Sequence, residues 1–202
     1  MKSLSLSLFA AIIVTGAIVS QAPASIINPY TKTYVPNDAD LGDLDHSKFY
    51  TWGLESDWPD DAKPVSATLT FKNIRNWDNN ANVLRVHLLG NPAKLGVVVG
   101  TDNEGGGDNF AGKGVLLVTY RNLTTHANTL TYNFTASELQ SLQQYGADGK
   151  FGLGFDPDCH YYNDKIQLTV CFEPQLGVPE PATLLLLAGG AVPAFLKRRR
   201  RA

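Results

Sequence analysis

Between residues 25 and 176, apolar and polar side chains alternate in short runs, each closed by Gly, Pro, Asn or Asp. Successive side chains of a strand point to opposite faces, so a period of two confines the chain to half-buried β-strands with one core face and one wet face. Over 65–74, Val65, Ala67, Leu69 and Phe71 share one face, and Ser66, Thr68, Thr70 and Lys72 share the other. The same pattern predicts strands over 48–54, 82–89, 94–99, 115–121, 129–134, 150–155 and 165–172, the last with Ile166, Leu168, Val170 and Phe172 in register. One segment breaks the period. Residues 136–144 read as a helix in which Thr135 caps the first turn, Glu138 completes a capping box, Leu139 and Leu142 face a sheet, and Gly146 ends the element. Many strands, one short helix and Gly-rich turns argue for an all-β fold, an antiparallel β-sandwich of jelly-roll kind. The tract Gly105-Gly106-Gly107, flanked by Asp102, Glu104 and Asp108, reads as one flexible loop.

The 202 residues leave room for one such domain, because both ends read as addresses rather than as fold. Lys2 precedes an apolar run over 4–19, followed by Gln21, Ala22, Pro23 and Ala24. That order predicts a signal peptide over 1–24 with cleavage before Ser25; a first transmembrane helix is the alternative, but the run is shorter than the ~20 residues a bilayer core requires. At the other end Val178-Pro179-Glu180-Pro181 is followed by an apolar run over 182–196 and then by Lys197 and Arg198 to Arg201. Prolines on both sides of Glu180 resist helix and sheet and leave the motif extended, where an enzyme can grip it. At ~1.5 Å per helical residue the apolar run reaches about 22 Å, against a hydrocarbon core of ~30 Å. Such a membrane helix is a marginal anchor, interrupted by Gly189, Gly190 and Pro193, and its basic end places the body on the outer side.

This layout resembles the PEP-CTERM sorting signal of exported Gram-negative proteins. The resemblance covers residues 178–202 and implies that an exosortase, a membrane-embedded cysteine transpeptidase, recognises Val178, Pro179, Glu180 and Pro181. It further implies that 182–196 is the membrane segment and 197–202 the cytoplasmic basic tail. An ordinary single-span tail anchor accounts for the hydrophobicity and the charges but gives no reason for the V-P-E-P motif. Because PEP-CTERM systems tend to accompany exopolysaccharide production, the resemblance also implies a polysaccharide-rich surrounding for residues 25–177.

The formal net charge of −2 conceals an acidic body, since the basic residues crowd the C-terminus. Nucleic acid is excluded as a partner by that balance, because phosphate binding relies on Lys and Arg. The richest polar stretch, 156–164, offers Asp156, Asp158, Asn163 and Asp164 as oxygen donors for a structural calcium. Asx hydrogen bonds closing turns account for the same aspartates without a metal. A second acidic group, Asp38, Asp40, Asp43 and Asp45, meets the first if the terminal strands pair, although Gly42 interrupts its D-x-D spacing. Cys159 and Cys171 are an even pair compatible with one disulfide in an exported protein, but in a hairpin Cys171 would fall far past the point opposite Cys159. Trp52 alternates with Tyr50 and Leu54 and belongs to the core, whereas Trp58 and Trp77, next to Asp57 and Asp78, are the indoles placed to stack against a sugar ring.

Signals for catalysis are thin. His46, His87, His126 and His160 are scattered, and Cys159-His160 is not a ligand pair at zinc spacing. P-loop, dinucleotide and G-x-S-x-G patterns are missing from the sequence. The expectation is therefore a non-enzymatic exported domain, first held at the inner membrane and then at the cell surface or outside it, where it binds exopolysaccharide. The alternative is a secreted polysaccharide-active enzyme on the same scaffold, marked by a carboxylate pair in a concave face. Mass spectrometry of the mature protein from cells should give an N-terminus at Ser25 and no terminal arginine cluster; retention of Arg198 to Arg201 would refute the sorting signal.

Overall fold

Alternation is realised as two antiparallel sheets in a computed structural model that describes residues 29–37, 41–58 and 62–173. The signal peptide (1–24), the sorting signal (178–202), Asp38 and Asp40 lie outside the described residues. Among the described residues no helix is long and apolar enough to cross a membrane. In chain order the elements are β1 (Thr31–Tyr34), β2 (Asp43–Leu44), β3 (Lys48–Glu55), β4 (Pro64–Asn76), β5 (Val83–Gly90) and β6 (Gly96–Thr101). They continue with β7 (Val115–Arg121), β8 (Asn128–Asn133), α1 (Ala136–Gly146), β9 (Lys150–Pro157), β10 (Tyr161–Tyr162) and β11 (Lys165–Phe172). One sheet has the order β1-β11-β4-β10-β2, with β8 also on β4; the other has the order β6-β3-β9-β5-β7. Residues 26–175 form one compact unit, whose core among the described residues runs from Tyr34 to Phe172.

β4 is the spine of the first sheet, and two irregularities decide which of its side chains reach the core. Cys171 pairs with Ser66 but Phe172 pairs with Pro64, and this bulge turns Val65 outward, 46% exposed. Strict alternation had put Val65 with Ala67 and Leu69, so its placement is a correction to the sequence reading. Further along, Asn73 adopts a left-handed φ of 53° where the pairing with β8 shifts register. The shift lets Phe71, Ile74 and Asn76 all point inward although Phe71 and Ile74 are three residues apart.

β9 is the centre of the second sheet and is buried from Phe151 to Pro157. Phe151, Leu153 and Phe155 face the other sheet, while the alternate positions are Gly152 and Gly154. A β-carbon at Gly154 would lie 2.9 Å from the Phe110 ring, so glycine there is what allows the β6–β7 loop to lie against the strand. Across the core, Phe155 meets Phe71 edge-on at 5.9 Å between centroids, and Phe151 meets Tyr34 edge-on at 5.6 Å. Trp58 lies 5.3 Å from Phe151 and 5.0 Å from Phe172, which joins the two sheets at one end.

The helix forms as its capping signal predicts. Thr135 accepts from the Glu138 backbone N–H, and Glu138 accepts from the Thr135 N–H at 2.7 Å. Leu142 is fully buried and Leu139 partly so. The helix extends through Gly146, whose role is close approach rather than termination: a β-carbon there would lie 2.2 Å from the Trp58 indole. Phe155→Ala should cost about 3–5 kcal/mol of unfolding free energy and Thr135→Ala about 1 kcal/mol, both read from urea unfolding; equal costs would contradict a core organised on β9.

Candidate functional site

The two ends of the 156–164 segment belong to different sheets, and this fact relocates every residue read from it. β9 pairs with β3 and β5, whereas β10 and β11 pair with β4, so residues 158–160 cross from one sheet to the other. The expected hairpin is replaced by a crossing. Cys171 therefore lies far along β11 beside Thr31, its Sγ accepting from that hydroxyl at 3.5 Å, while Cys159 Sγ lies 4.0 Å from Asp78. Both thiols are free, and the disulfide expectation is corrected.

The four oxygen donors expected to share a calcium are drawn to separate partners. Asp156 is completely buried and accepts from Asn109 through both oxygens, at 2.9 and 3.3 Å. Asp158 accepts from Arg85 Nη1 at 3.0 and 2.9 Å. Asn163 donates to the Leu41 carbonyl at 2.5 Å, and Asp164 accepts from Asn73 at 2.6 Å. The crossing chain carries Asn163 and Asp164 away from Asp156 and Asp158, which share Arg85 at 3.7 and 2.9 Å, so the structure does not assemble the four as a set.

Asp156 and Asp158 belong instead to a clasp that the sequence reading missed. Arg85 and His87 sit two apart on the outward face of β5, and the β6–β7 loop folds over them. Arg85 Nη2 donates to the Gly106 carbonyl at 3.1 Å, Asn109 bridges Asp156 to Asp102, and His87 Nε2 lies 3.1 Å from Asp108. Burial, its largest cause, holds the Asp156 carboxyl above the ordinary carboxylate range despite the Asn109 hydrogen bonds. Burial also pulls His87 below its ordinary value of 6.5, against the opposing pull of Asp108, and its Nδ1 has no hydrogen-bond partner. Cation and histidine spaced by two on an otherwise apolar strand were the available signal; their partners, thirty or more residues away in part, were not.

The other side of the crossing presents an exposed aromatic ledge. β10 extends the β11 register along β4, pairing Tyr161 with Asn76 and Tyr162 with Arg75, while β2 pairs outside it through Leu44 and Asp43. This arrangement brings the β4–β5 turn, the crossing and the β2–β3 turn to one place. Trp77 donates its backbone N–H to the His160 carbonyl at 3.0 Å, and Asn76 Nδ2 bonds Asp78 on the same turn. The turn is fixed, yet the Trp77 indole is 59% exposed. His160 lies 6.3 Å from Trp77 and 5.0 Å from Tyr162, between ring centroids, and Arg75 lies over the Tyr162 ring at 5.4 Å. Beneath the ledge Tyr161 is fully buried and donates to Asn82 Oδ1 at 3.1 Å. Trp58, expected beside Trp77 as an exposed indole, is buried between Phe151 and Phe172 and is withdrawn as a stacking residue.

Acidic groups border the ledge. The Asp43 carboxylate is in direct contact with His160 Nε2, so this part of the acidic N-terminal group does meet the 156–164 segment. Asp45 accepts from the Ser47 backbone N–H at 2.9 Å, which is the largest cause holding its carboxyl below the ordinary range; the Ser47 hydroxyl, His46 and Lys48 act in the same direction. Compared with known proteins, the chain matches no family model and no curated sequence.

The clasp makes a prediction about pH. A histidine held neutral in the folded state gives the unfolded chain the greater proton uptake as pH falls below 6.5, so its contribution to stability is present above that pH and declines below it. Urea unfolding at pH 7.5 and 5.5 should show this loss in the wild type and a smaller one in His87→Gln; identical losses would remove His87 from the account. The raised Asp156 carboxyl acts with opposite sign nearer the acid range, so the comparison with the variant isolates the histidine.

Proposed function

We propose that residues 25–177 are an exported, non-enzymatic β-sandwich of jelly-roll kind that binds polysaccharide through the Trp77 ledge. In this reading a signal peptide directs export, an exosortase acts at Val178–Pro181, and the mature domain remains at the cell surface or in the surrounding matrix. The observation that carries the binding function is an indole left 59% exposed on a turn whose backbone is held by the crossing strand. A flat, pre-positioned indole covers the apolar face of a sugar ring at little cost in conformational entropy. Neighbouring Asp43, Asp45 and Arg75 supply acceptors and donors for the sugar hydroxyls at its edge.

Two clefts among the described residues bear on the hydrolytic alternative. The cleft lined by Lys63, Val65, Leu139 and Glu173 has a volume of about 420 Å³ but one carboxylate, paired to Lys63 at 3.3 Å. The cleft beside Leu41 and Ile166, about 170 Å³, also carries one, that of Asp164. Acid–base cleavage of a glycosidic bond uses two facing carboxyl groups.

The test is a glycan array, followed by titration of the soluble domain with the best ligand and an assay for released reducing ends. Trp77→Ala should weaken binding by roughly tenfold, about 1.4 kcal/mol, while changing unfolding free energy by less than about 0.5 kcal/mol. Unchanged affinity would reject the ledge, and steady release of reducing ends would replace the binding role with the enzymatic one.

A further inference from the structure

Three groups with metal-binding chemistry come together at the lower edge of the ledge from positions far apart in the chain. Asp45 and His46 lie on the turn that leads into β3, closed by the Lys48 N–H donating to the Asp45 carbonyl at 3.0 Å. His160 arrives on the crossing just before β10, and the β2–β10 pairing of Leu44 with Tyr161 holds the two segments side by side. One ligand atom from each of Asp45, His46 and His160 lies within 4.8 Å of the others. His46 Nδ1 is 3.4 Å from Asp45 Oδ1. Bonds of ~2.0–2.1 Å in a tetrahedral zinc site place donor atoms roughly 3.3–3.4 Å apart, so that pair already has the required spacing. His46, 61% exposed along its side chain, is free to close the wider separations by rotation.

His160 supplies the second observation. Its Nε2 is shut off from solvent and pairs with the Asp43 carboxylate. A carboxylate that holds one ring nitrogen of a histidine orients the ring and leaves the other nitrogen for a metal.

We propose that Asp45, His46 and His160 form a zinc site, with Asp43 orienting His160 from outside the coordination sphere. Imidazole nitrogen selects a transition metal over calcium, which prefers an all-oxygen shell. Three protein donors leave one coordination position for water. Bound there, zinc ties the β2–β3 turn to the crossing and so braces two strands of only two residues each. The site does not depend on the polysaccharide reading, although His160, Asp43 and Asp45 border both.

Chelator-treated soluble domain, residues 25–177, is titrated with zinc chloride by calorimetry and melted with and without one equivalent of zinc. One equivalent should bind per chain and raise the melting temperature. His46→Ala and His160→Ala should each weaken zinc binding by roughly tenfold or more and abolish the thermal shift, whereas His126→Ala and Trp77→Ala should retain both. Should His160→Ala fold poorly, His46→Ala on its exposed turn decides the matter. Absence of one-equivalent binding, binding that survives His46→Ala, or preferential uptake of calcium would overturn the site. Retention of zinc by Trp77→Ala separates failure of the metal site from failure of the sugar ledge.

Discussion

Two sheets share a core only when their inner faces interlock, and here the interlocking runs through β9. Its Phe151 and Phe155 reach across to Tyr34 and Phe71, and Trp58 packs between Phe151 and Phe172 where the sheets come together. Edge-on aromatic contacts of this kind add to the burial of large apolar surfaces, which is the dominant favourable term in folding. The same strand needs cover on its other face, because a central strand buried on one side only would leave Gly152 and Gly154 open to water. Phe110 of the β6–β7 loop covers Gly154 and Pro92, between β5 and β6, covers Gly152, and the glycines are what let them approach.

From this double burial the polar architecture follows. A loop folded over a strand brings its own polar groups with it, and buried polar groups must find partners. Arg85, Asn109, Asp102, Asp156 and Asp158 satisfy one another beneath the loop, so Asp156 and Asp158 are consumed in holding the fold closed. What remains for recognition is the far side of the crossing. There the backbone is equally constrained, through the Trp77–His160 hydrogen bond and the β10 pairings, but the side chains of Trp77 and Tyr162 stay exposed. A rigid backbone carrying exposed aromatic groups is the arrangement that binding surfaces require, since ordering costs are met during folding rather than at each encounter.

Much of the fold was legible because period-two alternation is a local property. β7 and β11 match the predicted 115–121 and 165–172 in full, and Thr135 with Glu138 marked the helix start. Val65 was misplaced because a bulge is set by the partner strand, where Phe172 skips to Pro64. Trp58 was misread for a related reason: an aspartate neighbour suggests exposure, but the indole fills the gap opened by Gly146 between helix and core. The histidines looked scattered because linear spacing does not register that β2 pairs with β10.

Sequence by itself determined that the chain makes antiparallel strands, where the short helix begins, and that Trp52 is internal. These outcomes depend on which side chains prefer water and on hydrogen bonds within a few residues, both encoded by near neighbours. Tertiary structure alone decided that residues 158–160 cross between sheets. Strand pairing is an interaction between distant segments, and one crossing at that point separated the cysteines, dispersed the expected calcium donors and set His160 beside Asp43, Asp45 and His46.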